Sequence, residues 1–419
     1  MDRNSSAFAL RQSLTDYLKG KGCVRTPQVE TAFRAVPRHL FVPDAELESV
    51  YRDESFVLKA LQDVPVSSSS EPGIMAIMLE QLDLQPGQRV LEIGAGTGYN
   101  AALMAHLVGE EGRVVTVEID EDIAQGARQH LAAAGVGTVD VVCGDGGFGF
   151  PSAGPYDRVI LTVASAEILP PWREQLKPTG RIVLPLAIKA SQKSVAFEES
   201  GGSLSSTSVA DCGFMTLRGV FSEPLNVLQL RPETGLHLLV NDGERYDAAL
   251  VYRLLTGPYR DWPTGVQATP GEAWAGLNFW LALREPELCS LWVMRKLLDG
   301  GPVPGLLPIR GRYDWSFAYG LLDSESLNVL IRQPHSSGAL KISNSTSELV
   351  VRSFGPAQPH STAQRLIEQV QAWEAAGRPA TDGLRIRAYP PDTECVPTSS
   401  EIVVQKKWMH LLFDWRKGI

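Results

Sequence analysis

The chain has 419 residues, long enough for two domains rather than one core. Hydrophobic residues make up 44% and charged residues 21%, ordinary for a globular protein, and a formal net charge of −9 argues against broad binding to nucleic acid. Cys23, Cys143, Cys212, Cys289 and Cys395 are scattered, odd in number and free of any C-x-x-C pair, so neither a disulfide framework nor a metal site is indicated; with no apolar run of spanning length and no h-region, a cytoplasmic protein that binds no membrane is expected.

In chain order, residues 7–20 read as an amphipathic helix striped by Leu10, Leu14 and Leu18, and residues 26–36 as a second helix presenting Val29, Ala32 and Phe33. Pro37 and Pro43 bracket a segment expected to be extended, with Leu40 and Phe41 buried and His39 as a structural tether. Four serines (Ser67, Ser68, Ser69, Ser70) lie between Pro65 and Pro72 and lead into an apolar helix at 73–82. A serine or Glu71 is expected to cap that helix, which makes the run a positioned, substrate-facing lid rather than a floppy linker.

The organising stretch is Arg89-Val-Leu-Glu-Ile-Gly-Ala-Gly-Thr-Gly-Tyr-Asn100. Val90, Leu91 and Ile93 read as a buried parallel strand that breaks into Gly94, Gly96 and Gly98 before an Ala-rich helix. Glycines at a strand-to-helix turn let the backbone approach a ligand closely. A dinucleotide fingerprint wants its third glycine where this chain has Tyr99, and Glu92 adds an acidic neighbour. The pattern therefore suits a cationic, phosphate-free ligand such as S-adenosylmethionine. A second strand, 113–120, carries Glu118 near its end, placed to accept ribose hydroxyls. A third, 139–143, runs into Gly144, Asp145, Gly146 and Gly147, where Asp145 can accept from an adenine amine and the glycines leave room for the ring. With a fourth strand at 156–162, these ends describe one crevice at the carboxyl edge of a doubly wound α/β sheet.

Arg38-His-Leu-Phe-Val-Pro43, the serine-proline helix start, Val90-Leu-Glu-Ile-Gly-Ala-Gly-Thr-Gly-Tyr99, Gly144-Asp-Gly146, Pro155-Tyr-Asp157 and Leu176-Lys-Pro-Thr-Gly-Arg-Ile-Val-Leu-Pro185 together resemble the protein L-isoaspartate O-methyltransferase family over about residues 8–220. The resemblance implies a Rossmann-like S-adenosylmethionine-dependent methyltransferase that releases S-adenosylhomocysteine and takes a peptide or protein bearing Asp or isoaspartate. It aligns Ser70 with the family serine that touches the acceptor carboxylate and Ser68 with a threonine of the same motif. Ser69 stands where the family has isoleucine and Glu71 where it has glutamine. A carboxylate with an ordinary pKa near ~4 is already ionised at neutral pH, so no general base, cysteine or metal is expected, only alignment by a hydroxyl.

The family-like part is expected to span 1–223, with a helical segment and lid in 1–80, and residues 224–419 to form an α+β accessory domain. After Pro185, strands are expected near Val195 and at 215–218, separated by a polar turn at 198–208. Beyond 224, a helix at 362–376 and strands at 327–332, 339–343, 348–352, 384–388 and 402–413 are expected, with the tryptophans mostly in the core. The extension and the altered serine run make the chain similar to relatives that tailor ribosomal peptide natural products (lanthipeptides, graspetides), which would mean methylating one aspartate that collapses to aspartimide or isoaspartate. General isoaspartate repair is the alternative within the same reaction, and a cofactor-binding scaffold without turnover is the alternative from another class.

Overall fold

The computed structural model of the protein describes residues 3–61, 64–223, 226–231, 235–294, 297, 310–312, 315–333, 346–355, 361–393, 397–398 and 401–415. The chain begins with helices α1 (Arg3–Gly20), α2 (Pro27–Ala35) and α3 (Leu47–Val50). Thr26 caps α2 by accepting the Val29 N–H, with Pro27 in the first turn, where its missing N–H costs nothing. The segment between the two prolines is not extended as expected: Arg38–Leu40 forms a 3₁₀ turn. The cause is Arg38, whose side chain turns inward and finds backbone carbonyls there. Phe41 is buried as expected and packs on Tyr99 with ring centroids 5.5 Å apart, while His39 Nδ1 lies 2.7 Å from the Tyr51 hydroxyl and ties the turn to its neighbour.

The serine run is a strand. β1 (Phe56–Leu61) and β2 (Val64–Ser69) pair antiparallel, with Phe56 opposite Ser69 and Val57 opposite Ser68. Strand alternation puts Ser67 and Ser69 inside while Ser68 and Ser70 stay half-buried. There follow α4 (Pro72–Leu82), β3 (Arg89–Ile93), α5 (Tyr99–Val108), β4 (Arg113–Glu118), α6 (Glu121–Ala133), β5 (Val139–Cys143), β6 (Tyr156–Leu161), α7 (Pro170–Glu174), β7 (Leu176–Ile188), β8 (Ser191–Ser200) and β9 (Ser203–Asp211). β3 pairs in parallel with both β4 and β6, β4 with β5, and β6 with β7. The parallel order β7-β6-β3-β4-β5 reverses direction between β3 and β6, and such a switch point opens a crevice at the carboxyl ends.

Two expectations after Pro185 fail. The polar stretch 198–208 is largely strand, because buried Phe197 and Leu204 alternate with outward serines and the reversal needs only Gly201 and Gly202, at φ +60° and +82°. Residues 215–218 form no strand but a single bridge from Thr216 to Ala164.

A second sheet contains β10 (Asn226–Arg231), β11 (Leu236–Val240), β12 (Tyr259–Ala268), β13 (Leu288–Met294), β14 (Arg310–Arg312), β15 (Trp315–Leu322), β16 (Leu327–Arg332) and β17 (Ser347–Phe354), in the order β10-β11-β13-β15-β16-β17-β12 with β14 on β15. Its pairings are antiparallel, and Leu236, Leu291, Val329 and Val350 belong to its core. Helix Ser361–Ala375 packs against β12 and β15. Trp280 and Trp373 are buried in this part, whereas Trp262, Trp274 and Trp292 are half-buried. The strand expected at 339–343 lies outside the described residues.

The chain then returns to the first sheet. β18 (Leu384–Tyr389) pairs with β9, Arg387 opposite Ser205, and the hairpin of β19 (Ile402–Gln405) and β20 (His410–Trp415) extends the order to β19-β20-β18-β9-β8-β7-β6-β3-β4-β5. One compact unit thus comprises Met1–Ala187, Gln192–Glu223 and Arg385–Asp414; the other comprises Ile188–Ser191, Pro224–Leu384 and Trp415–Ile419. Among the described residues no helix is long and apolar enough to cross a membrane.

Candidate active site

The turn after β3 is built for close approach. Gly94 has φ +100°, and a Cβ there would lie 2.6 Å from Thr162 Oγ1. The Thr162 hydroxyl, just past β6, donates to the Gly94 carbonyl at 2.5 Å, joining the two strands at the switch point. Gly96 has φ +52°, and a Cβ there would come 3.3 Å from the Ser68 carbonyl oxygen. The β1–β2 hairpin therefore lies directly over the glycine turn. Gly98 occupies the N-cap position of α5.

Neighbouring strand ends supply carboxylates. Glu118, 6% exposed at the end of β4, accepts the Gly96 N–H at 3.1 Å through Oε2 and the Ile119 N–H at 3.0 Å through Oε1. Burial raises its pKa, opposed by the backbone donors of Gly96, Asp120 and Ile119. Beyond β5, Asp145 accepts the Gly147 N–H through Oδ1 and the Val220 N–H through Oδ2, both at 2.8 Å. Gly146 has no room for a side chain, since a Cβ would meet Ile93 Cγ2 at 2.4 Å, and its carbonyl accepts the Trp172 indole N–H at 2.9 Å.

Residues 215–223 run across these ends. Ala164 and Met215 bond through the Ala164 N–H at 2.7 Å, Arg218 pairs with Asp120, and Val220 reaches Asp145. Lys59 from β1 also reaches Asp120 at 3.0 Å, so hairpin and strap meet at one carboxylate, whose pKa is lowered chiefly by its bond from Arg218.

Glu92 departs from the sequence reading. It does not face the crevice: it is 0% exposed, with Oε1 accepting from Asn100 Nδ2 at 2.7 Å and Oε2 from Thr116 Oγ1 at 2.6 Å. Alternation along β3 points it into the sheet face beneath α5, where it ties β3 and β4 to that helix. Burial pushes its pKa up to about 7, against the hydrogen bonds that favour the ion. Because the folded value exceeds the unfolded value of 4.5, stability falls as pH rises between them and stays lowered above about 7. Urea unfolding across this window should show Glu92→Gln gaining on the wild type by about 3 kcal/mol as pH rises. A pH-independent difference would remove the buried-acid account.

The serine run also differs in detail. Glu71, not a serine, occupies the N-cap position of α4 and makes no side-chain cap. Asp53 caps in its place, accepting the Gly73 N–H at 2.7 Å. The Ser70 hydroxyl has no hydrogen-bond partner among the described residues, and its carbonyl accepts from Arg38 Nη2 at 3.1 Å. Arg38 and Asp53 were not singled out by the sequence reading. A charged residue inside the apolar Val36-Pro-Arg-His-Leu-Phe-Val-Pro43 stretch was the available signal for Arg38; Asp53 had none.

The first turn of α5 is closed to a diphosphate, with Tyr99 2% and Asn100 6% exposed. What the crevice offers instead is backbone approach at a glycine turn and carboxylates at successive strand ends, a set that fits a positively charged adenosine derivative. Fold and site define an S-adenosylmethionine-dependent methyltransferase. The chain belongs to the protein-L-isoaspartate(D-aspartate) O-methyltransferase (PCMT) family, whose model matches residues 9–221, and it is a carboxyl O-methyltransferase. Protein-L-isoaspartate O-methyltransferase 2 of Archaeoglobus fulgidus is 38% identical over 194 residues, covering 46% of this chain and 86% of its own. The protein-L-isoaspartate O-methyltransferase of Methanopyrus kandleri is 38% identical over 218 residues, 51% and 94% of the two chains. That of Thermotoga maritima is 40% identical over 190 residues, 45% of this chain but 59% of its own. A solved protein-L-isoaspartate O-methyltransferase structure aligns over 90% of this chain and 96% of its own, at 24% identity and a TM-score of 0.49.

Proposed function

We propose that the enzyme methylates the free α-carboxylate of isoaspartyl residues in polypeptides, with Ser70 orienting the acceptor. The observation that carries this reading is the uncommitted Ser70 hydroxyl on a lid whose Ser68 carbonyl lies against Gly96. Glu118 takes the ribose hydroxyls, Asp145 the adenine amine, and the turn of Gly94, Gly96 and Gly98, with Gly146 beside it, gives the cofactor its close backbone approach. Glu92 acts indirectly, holding the turn through Asn100 and Thr116. When bound, S-adenosylmethionine supplies an electrophilic methyl group. The acceptor carboxylate is ionised at neutral pH and needs no proton removed, so the chain's task is alignment and exclusion of water. Ser70 donates to one carboxylate oxygen, leaving the other for attack, and Ser68 is the second hydroxyl on that edge.

General repair accounts for this chemistry and agrees with the names of the relatives. Tailoring of a ribosomal peptide is the second reading, favoured by Ser69 and Glu71 in the lid. The region beyond 224 does not by itself separate the two, since part of the Thermotoga maritima relative also lies outside its matched stretch. Mass spectrometry with unrelated isoaspartyl peptides distinguishes them. Repair predicts one added methyl mass on many sequences, tailoring on one peptide alone; loss of methanol follows in both, because either ester closes to the imide by attack of the next backbone amide.

Ser70→Ala tests the acceptor role. Losing one hydrogen bond to a charged group is worth about 1.5–3 kcal/mol, so methyl transfer should fall about ten- to a hundredfold. Affinity for S-adenosylhomocysteine and thermal stability should hold, because Ser70 caps nothing. Single replacements of Ser67, Ser68 and Ser69 serve as controls. Full activity in Ser70→Ala would remove the assignment.

A further inference from the structure

We infer that the turn between β19 and β20 is a recognition element for acidic peptide substrates, with Lys407 and Trp408 as its contacting side chains; the inference rests on the carboxyl-acceptor reading above. The turn lies outside the family match, which ends at 221, yet it is fastened to the loop that follows β6. Glu167 in that loop is 8% exposed, and its carboxylate accepts the Lys407 N–H at 2.9 Å and the Trp408 N–H at 3.3 Å. Thr162, whose hydroxyl bonds Gly94 at the glycine turn, is only five residues earlier. Five residues reach at most about 17 Å, so the turn stands within the span of a short peptide from the cofactor crevice.

Its anchors are several. Met409 is 1% exposed and meets Arg173 Nη1 through Sδ at 3.4 Å. Lys406 Nζ bonds Glu223 at 3.2 Å, at the end of the strap that crosses Ala164, Asp120 and Asp145. A turn held by its backbone on a buried carboxylate presents its side chains in fixed places.

Those side chains answer a need created by the crevice. Glu118 and Asp145 suit a cationic cofactor but repel an acceptor that brings its own carboxylate, the more so on a chain of net charge −9. Lys407 is exposed, with Nζ 4.8 Å from the centroid of the Trp408 ring and no carboxylate within 4.0 Å among the described residues. An ammonium beside a half-buried indole can pair with an acidic side chain while the ring packs on the peptide's apolar parts.

The test uses the full chain and two isoaspartyl hexapeptides, one flanked by glutamates and one by glycines. Lys407→Glu should raise KM for the glutamate-flanked peptide about tenfold and for the glycine-flanked one less than about twofold. kcat and the Kd for S-adenosylhomocysteine should stay at wild-type values. Lys407→Met should fall between, with unchanged melting, and high salt should compress the wild-type preference for the acidic peptide. Equal shifts for both peptides, or no shift for either, overturn the inference. A wild type that binds S-adenosylhomocysteine but methylates neither peptide instead overturns the acceptor reading beneath it.

Discussion

Arg38→Met should destabilise the catalytic unit by about 3–5 kcal/mol and abolish most methyl transfer even well below the melting temperature. The Arg38 side chain is fully buried, yet its Nη donors meet carbonyls rather than a carboxylate. Nη1 reaches Val50 at 2.8 Å and Arg52 at 3.1 Å; Nη2 reaches Glu54 at 2.9 Å and Ser70 at 3.1 Å. Its guanidinium also stands 5.3 Å from the Phe56 ring and 5.9 Å from that of Tyr99. Methionine fills similar space but leaves these carbonyls without a donor, each costing about 1–3 kcal/mol if it stays dry. Relief of the buried charge offsets part of that sum, since burial disfavours the guanidinium ion and lowers its pKa. The net loss corresponds to roughly 10 °C in melting for a unit of this size. Arg38→Lys, a single ammonium, can serve one carbonyl pair but not both, so it should sit between. Hydrogen exchange should accelerate at 50–56 and 64–70, the two ends joined by the clamp. A methionine variant with wild-type melting and exchange would show that those carbonyls find other partners.

The crevice was legible because its parts are local. A glycine run after an apolar strand needs only neighbouring residues to declare itself, and Glu118 and Asp145 follow at the ends of strands with clear apolar patterns. Where the reading failed, the deciding partner was distant in sequence. Glu92 looked like a crevice residue until Asn100 and Thr116 were seen to hold it inside. The serine run carries no strong strand propensity; its pairing with 56–61 and burial of alternate serines override composition. The return of β18 to β9 has no local signal either, because alternation marks a strand without marking its neighbour. Residues 384–388 were thus expected as a strand and 402–413 as one strand, where the chain instead folds back into the hairpin of β19 and β20, and neither was expected in the catalytic sheet.

Glu118→Ala should weaken binding of S-adenosylmethionine by about 2–4 kcal/mol, roughly thirty- to a thousandfold in Kd. On the proposed contact, two ribose hydroxyls lose their acceptor at once, and the Gly96 N–H that donates to Glu118 at 3.1 Å loses its partner. Glu118→Gln keeps the shape and one acceptor, so about a tenfold loss is expected. Acidification should act in the same direction: the folded pKa is raised above 4.5 by burial, and as pH falls through it the site loses negative charge and with it attraction for a sulfonium cation. A merely structural Glu118, holding the glycine turn and touching no ribose, would also weaken binding, so affinity alone does not discriminate. The 2′,3′-dideoxy form of S-adenosylhomocysteine does. With a ribose contact, the wild type should bind the dideoxy form much more weakly than the parent, and Glu118→Ala should bind the two nearly alike, giving a coupling energy of about 1–3 kcal/mol in the double cycle. With a structural role, the penalty for removing the hydroxyls should be the same in both proteins. Isothermal titration of both ligands against both proteins decides between them, and zero coupling would assign Glu118 to the turn alone.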